Sequence, residues 1–449
     1  MCEKVVNSHT KEVFDMDQLA KPNHKPGTAR MLSIIPGLGQ FYNGQLIKGI
    51  LFLAIAILFI YEMITYGISA FTGLITLGEV PGEDHSLFLM IQGTIQILVT
   101  VIFVTFYFFN IYDAGKVAKN RKLGLKVNET FGELFSNIYL NGFPYLLIIP
   151  AYLFMIFAIV FPVLVTIFMA FMDYDFMTTP PFNLISWVGM ENFADIFFLS
   201  TFRDAFFSVL SWTIIWTACA TTLQIVLGVL TAVVANQKFI KGKRIFGVIF
   251  LLPWAVPAFI TIMTFSNMFN DSIGAINTQV IPFINNLPFV NIGLIAWKTN
   301  PFWTKLAIIM IQGWLGFPYI YVMVTSILQS ISEDLYEAAR IDGANAIQQF
   351  KSITLPVILS VAAPIFVTQY TGNFNNFTMI YLFNDGGPGS AGGGAGQTDI
   401  LISWIYKLTT SGTPQYSMAA ALTLIVSLVV ISVSLIVFKR TNAFSMEDV

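Results

Sequence analysis

Charge is scarce in this sequence. Asp, Glu, Lys and Arg supply 11% of the 449 residues, where a soluble domain carries roughly 25%. Set beside 56% hydrophobic residues, that shortage excludes an ordinary soluble chain and leaves a polytopic membrane protein. Cysteine is nearly absent, and Cys2 and Cys219 are too few and too differently placed for a disulfide framework or a metal cluster. The three histidines, His9, His24 and His85, fall outside the apolar runs, so none lies where a proton relay would need one. No G-x-x-x-x-G-K-[ST] phosphate loop occurs, so no ATP hydrolysis and no cofactor is expected on this chain. A carboxylate pair, histidine cluster or activated nucleophile at the membrane interface is also missing, which speaks against an enzyme. There is no nucleic-acid signature.

What is present is apolar sequence in long runs. About 20 apolar residues cross a bilayer, and on that rule spans are expected near 49–69, 87–112, 144–172, 205–235, 245–269, 303–328, 356–383 and 417–438. The fold class is therefore all-α, with about eight transmembrane helices. Pro150, Pro162, Pro253, Pro257 and Pro318 mark places where the backbone ladder should break. Residues 1–30 are polar and lack the uninterrupted apolar core of a cleavable signal, so they read as a cytoplasmic tail. Residues 31–48, with the run Ile35 to Gly44, are semi-apolar but broken by Gly and Pro, hence interfacial or re-entrant rather than spanning. Positive charge supplies an independent test of topology. With these spans only Arg203, Lys298, Lys305 and Lys407 of the 23 basic residues fall on one side, which puts both termini in the cytoplasm. The organisation expected is a tail with an interfacial segment (1–48), two accessory helices (49–143) and a six-helix core (144–449).

Between the sixth and seventh spans, residues 330–356 form more than a short polar loop. Ser332 can cap a helix whose first turn holds Glu333 and Asp334 against the positive end of the helix dipole. Gly343 interrupts it, a second turn follows from Ala344 to Phe350, and Pro356 stands where a new helix would begin. Glu337, Ala338 and Ala339, then Gly343, then Ile353, Leu355 and Pro356 fill every fixed position of an E-A-A, G, I-x-L-P pattern. This resembles the cytoplasmic loop by which permease subunits of bacterial ATP-binding-cassette importers dock onto their ATPase. The small residues would let a partner's groove close on the backbone, with Glu337, Arg340 and Asp342 fixing orientation.

The sixth and seventh spans carry the unusual side chains. Trp314-Leu315-Gly316-Phe317-Pro318-Tyr319 puts Gly and Pro about halfway along the sixth, where a kink should free carbonyls toward a cavity. Gln369 to Phe377 concentrates amides in the seventh, where lipid would reject them at several kcal/mol each. These amides either tie helices together or face a ligand. At 1.5 Å per residue both groups lie roughly 20 to 25 Å into their spans from opposite faces, so they should meet. With no acid or base in either group, a neutral ligand is favoured, and amides beside aromatic rings suit a sugar.

The runs Leu315-Gly316-Phe317-Pro318-Tyr319 and Asn373-Phe374-Asn375-Asn376-Phe377, with Trp187 to Phe193, Asn384 to Pro388 and Thr398-Asp399, are similar to the maltose-type (MalF-like) permease subunits of carbohydrate importers from about Pro144 onward. That resemblance implies a type I importer permease, moving maltose or maltodextrin by alternating access. It implies sugar contacts at Leu315, Gly316, Tyr319, Asn373 and Asn376, with Gln369 and Gly372 at neighbouring contact positions of altered type. It implies as partners an ATPase dimer that consumes ATP, a second permease subunit and an extracytoplasmic binding protein. Gram-negative members carry a large external insert after the third span, and here residues 172–204 are short. The glycine-rich run Gly386 to Gly396 is a flexible linker or an ordered turn offering a docking surface, and its flanks favour the turn. An ion-coupled secondary sugar transporter is the alternative, but such carriers need ionisable groups deep in the membrane. Glu62 is expected near the outer end of the first span, Lys305 at the outer start of the sixth and Asp113 at the inner edge of the second.

Overall fold

The computed structural model describes residues 24–440 except 126, 128–131, 133–134, 137–138, 141 and 238. The tail bearing Lys4, Lys11 and Lys21, and the loop lysines Lys126 and Lys238, lie outside the described residues. Among those described, seven segments are long and apolar enough to cross a membrane. They contain α3 (Leu46–Thr76), α4 (Ser86–Lys122), α5 (Phe143–Met169), α6 (Ser200–Ala235) and α7 (Pro301–Ser330). The sixth segment, Ala346–Asn384, includes α9 (Leu355–Phe374) and α10 (Phe377–Asn384), and the seventh lies in α12 (Tyr416–Arg440). Two shorter helices matter below: α8 (Glu333–Ile341) and α11 (Leu401–Thr410).

The span expected over 245–269 is discontinuous. It divides into Lys243–Phe250, Leu252–Ala255 and Ala258–Met268. Pro253 and Pro257 donate no backbone hydrogen bond, and Pro257 drives Val256 into extended backbone (φ −115°, ψ 136°). Pro150 and Pro318, in contrast, sit inside helices that run on past them.

The chain packs as two units. The first runs to Phe168 and takes in Met177–Trp187. In it α1 (Pro26–Leu32) and α2 (Leu38–Tyr42) pack against α4. Asn110 Nδ2 donates to the Ser33 carbonyl at 2.8 Å, and Asn43 Nδ2 donates to the Ala114 carbonyl at 2.8 Å. Lys48 pairs with Asp113 at 2.6 Å. These bonds satisfy polar groups that would otherwise be buried at cost. Because α3 extends to Thr76, Glu62 stands mid-helix and not near an end, and its Oε2 accepts from Gln96 Nε2 at 3.1 Å.

The second unit, Met169–Phe176 and Val188–Val449, is built on α6, α7 and α9. Among the described residues its interior holds three apolar clusters. One unites the start of α6 with α11 and α12 around Phe206, Trp404 and Leu422. Another gathers Trp212, Trp216, Ile308, Ile311, Met379 and Phe383. The last gathers Ala232, Ile320, Val324, Ile358 and Ala362. Burying each large side chain there contributes about 1.5 to 3 kcal/mol.

The glycine-rich run is an ordered turn. Strands β1 (Ser390–Gly392) and β2 (Ala395–Gly396) pair antiparallel. Trp404 Nε1 donates to the Gly393 carbonyl at 2.7 Å, and Thr398 Oγ1 to the Gly387 carbonyl at 2.6 Å. Beneath it the fully buried Asp399 carboxylate pairs with Lys407 at 2.7 Å and accepts from the Gly396 N–H and Ser403. Burial pushes that carboxyl above its ordinary value, and Lys407 pulls it back part of the way.

Candidate functional site

Between the Trp216 cluster and the Ile320 cluster, three helices surround a layer of amides. On α6, Thr217, Thr221 and Gln224 recur at helical spacing and are buried. Gln312, Gly316 and Tyr319 recur likewise on α7, and Gln369, Asn373 and Asn376 along the seventh-span chain. Gly316 is what allows α6 and α7 to close there. A Cβ at that position would lie 2.0 Å from Gln224 Oε1, well inside contact distance, so only glycine leaves room for the glutamine to lie across the gap.

Gln224 is the hub. Its Oε1 accepts from Gln312 Nε2 and from Asn373 Nδ2, both at 3.3 Å, and its Nε2 donates to Gln369 Oε1 at 3.0 Å. Asn373 Nδ2 also donates to Thr221 Oγ1 at 2.9 Å. Asn376 Nδ2 donates to Gln312 Oε1 at 3.0 Å and to Asn373 Oδ1 at 3.4 Å.

The seventh span breaks at this layer. After α9 ends, Asn375 leaves helical geometry and Asn376 becomes the N-cap of α10, its Oδ1 accepting from the Met379 N–H at 3.2 Å. The carbonyl of Asn373 there accepts from the Asn376 N–H at 3.2 Å and from Trp216 Nε1 at 2.8 Å. The interruption expected in the sixth span at Gly316 and Pro318 therefore occurs in its neighbour, and α7 runs unbroken from Pro301 to Ser330. An amide side chain can replace a lost backbone bond, as Asn376 does here, and Pro318 needs no such replacement at a break.

The candidate sugar residues divide into three groups. Gly316, Gln369, Asn373 and Asn376 meet in the network. Leu315 packs against the Trp216 cluster. Tyr319 and Gly372 are exposed, Tyr319 lying 6.0 Å from the Trp254 ring. Asn373, only 4% exposed, spends both amide hydrogens on protein and so ties helices together in this conformation. Asn376 and Gln369 are half-buried. The sequence reading missed Thr221, Gln224 and Gln312. The signal for Gln312 was its place one turn before Gly316, and for Gln224 the recurrence Thr217, Thr221, Gln224.

The 330–356 element follows its sequence closely at the start. Ser332 Oγ accepts from the Asp334 N–H at 3.3 Å, and Glu337, Ala338 and Arg340 are exposed on α8 with Ala339 half-buried. Gly343 adopts φ +82°, in the left-handed region that favours glycine. This lets the Ala344 N–H return to the Ala339 carbonyl at 2.8 Å. Asn345 and Gln348 then cap the next turn reciprocally. That turn passes through a π-helical turn, Phe350–Thr354, directly into α9, so Pro356 does not open a separate helix. Tyr336 Oη bonds Thr354 Oγ1 at 2.8 Å and fastens α8 to the base of α9. Leu335, Ile341 and Ile347 stand exposed beside the E-A-A face.

Residues 224–441, which hold the amide side chains of the layer and this element, match the family of binding-protein-dependent transport system inner membrane components. Over 431 residues the chain is 63% identical to the maltodextrin transport system permease MdxF of Bacillus subtilis (strain 168), covering 96% of this chain and 98% of that one. It belongs to the permeases of binding-protein-dependent transport systems. As such it is a transport component of the membrane and not an enzyme. The permease is 46% identical over 422 residues to the galactooligosaccharides permease GanP of the same organism, covering 93% of this chain and 98% of that one. It is 35% identical over 259 residues to the maltose/maltodextrin permease MalF of Vibrio parahaemolyticus, covering 57% of this chain but 48% of that one. A subunit of a bacterial alginate importer shares its fold, with TM-score 0.57 at 20% identity over 70% of this chain and 99% of that one.

Proposed function

We propose that this permease carries a neutral oligosaccharide of the maltodextrin class through the membrane, by alternating access between α7 and the broken α9–α10 span. The observation that carries the reading is its 63% identity with a maltodextrin permease over nearly the whole of both chains. The chemistry agrees with it. An amide layer without a charged group can exchange its internal bonds for sugar hydroxyls, and the exposed ring of Tyr319 offers a stacking face. Leu315, Gly316, Gln369, Gly372, Asn373 and Asn376 complete the site. α8 with Gly343 receives the ATPase dimer, a second permease subunit completes the pathway, and an extracytoplasmic binding protein delivers the sugar. Both termini and α8 lie in the cytoplasm, and the six spans of 144–449, that over 245–269 being discontinuous, form the transporting core.

Uptake of labelled maltodextrin in cells, normalised to assembled importer, tests this. Tyr319→Ala and Asn376→Ala should each reduce it about ten- to hundred-fold, the loss of roughly 1 to 3 kcal/mol of sugar interaction. In the same cells an impermeant thiol reagent should reach Ser390→Cys and not Ser332→Cys. Wild-type uptake by both alanine variants removes the site from these helices, and labelling of Ser332→Cys from outside inverts the topology.

A further inference from the structure

Where α10 ends and α11 passes, a cleft of about 670 Å³ opens, within the range of small-ligand sites. Tyr381, Asp385, Tyr406, Lys407 and Thr410 are among the residues that line it. The rings are already arranged. Phe377 and Tyr381 stack at 4.9 Å and 18°, and Tyr406 stands edge-on to both, at 4.8 and 5.3 Å. Lys407 is anchored beneath, on Asp399 and on the Asp385 carbonyl. The Asp385 side chain remains 66% exposed, with Lys407 3.8 Å away.

We infer that this cleft is an outer oligosaccharide subsite, in which the Tyr381 and Tyr406 rings take a pyranose face and the Asp385 carboxylate accepts from neighbouring hydroxyls. An accessible carboxylate beside ring edges and faces suits vicinal diols, because it can accept two hydroxyl hydrogens at once while the rings cover carbon-hydrogen surface. The position adds a second argument. Phe377 follows Asn376 directly, and Tyr381 lies one turn further along α10. The eight residues of α10 span about 12 Å, so an elongated sugar can engage both the cleft and the amide layer, whereas a short one engages one of them. The cleft thus selects for chain length. This rests on the maltodextrin reading above.

The test is equilibrium binding of labelled maltose and maltohexaose to the complete importer in nanodiscs, held by a non-hydrolysable ATP analogue. Tyr406→Ala and Asp385→Asn should each weaken maltohexaose about ten-fold and leave maltose unchanged, and Tyr406→Phe should behave as wild type. An equal effect on both sugars, or none on maltohexaose, overturns the subsite. Unchanged sugar affinity with a weakened response to the binding protein would make the cleft a docking surface and overturn it too. A wild-type importer that binds neither sugar overturns the maltodextrin reading, and the subsite with it.

Discussion

Gly316→Ala tests the packing of the amide layer directly. The new methyl group would start 2.0 Å from Gln224 Oε1, so either α7 retreats from α6 or Gln224 leaves its slot. Leaving breaks the bonds it accepts from Gln312 and Asn373 and the one it donates to Gln369. A hydrogen bond contributes about 1 kcal/mol net, and a buried group left unsatisfied costs about 1 to 3 kcal/mol. Allowing for rebonding among the remaining amides, the substitution should cost about 2 kcal/mol, or about thirty-fold in the folding equilibrium. Unfolding midpoints of the purified chain in mixed micelles read this for Gly316→Ala, Gln224→Ala and the double variant. Gln224→Ala removes Oε1 and Cδ and leaves only its Cβ, 3.1 Å from the new methyl group, so adding Gly316→Ala to it should cost much less than Gly316→Ala costs in the wild-type chain, a coupling of opposite sign to the single cost. Additive losses, or a Gly316→Ala chain as stable as wild type, would refute the argument that this glycine exists to admit that glutamine.

At the other end of the unit, Gly343→Pro should abolish sugar-stimulated ATP hydrolysis in reconstituted importer while leaving membrane insertion normal, because proline cannot adopt φ +82°. Gly343→Ala meets no neighbouring atom within 4 Å but holds an L side chain at φ +82°, a strain of about 1 to 2 kcal/mol, so it should lose part of the coupling and less than Gly343→Pro; full coupling in Gly343→Ala would point away from backbone conformation. Lys407→Met leaves the Asp399 carboxyl buried without its cation and should destabilise the chain by up to about 3 kcal/mol at neutral pH. Asp399 already has its folded value raised by burial, so its contribution is complete below its unfolded value and declines as pH rises through the folded one. Removing Lys407 raises the folded value further, and the unfolding midpoint of Lys407→Met should therefore recover on acidification toward pH 5. A flat pH profile would show that Lys407 acts only through packing.

What could be read from the sequence was whatever depends on spacing along one helix. The E-A-A element, its glycine and the amides of the seventh span are local patterns, and their geometry follows from capping, positive φ and the cost of amides in lipid. Gln224 and Gln312 escaped because a single glutamine in a long apolar helix is ambiguous until the facing helix is known. Their partnership is created by the close approach at Gly316. The prolines show the same boundary. Pro253 and Pro257, four residues apart, leave room for a single helical turn, Leu252–Ala255, whereas Pro318 alone does not interrupt its helix, and nothing near Pro318 in sequence says that the break belongs at Asn375 across the interface. Glu62 was misplaced along α3 because the apolar run continues beyond the minimum length needed to span.

The composition of the layer at the break has an electrical consequence. Thr221, Gln224, Gln312, Gln369, Asn373 and Asn376 bond one another without a group that titrates in the physiological range. A carboxylate or imidazole at that depth would give a proton a stepping stone each time the layer parted. Neutral amides can part for a hydroxyl-rich passenger and rejoin behind it while conducting no charge of their own. On the proposed reading, the same residues that would bind the cargo would also insulate the membrane potential between one turnover and the next.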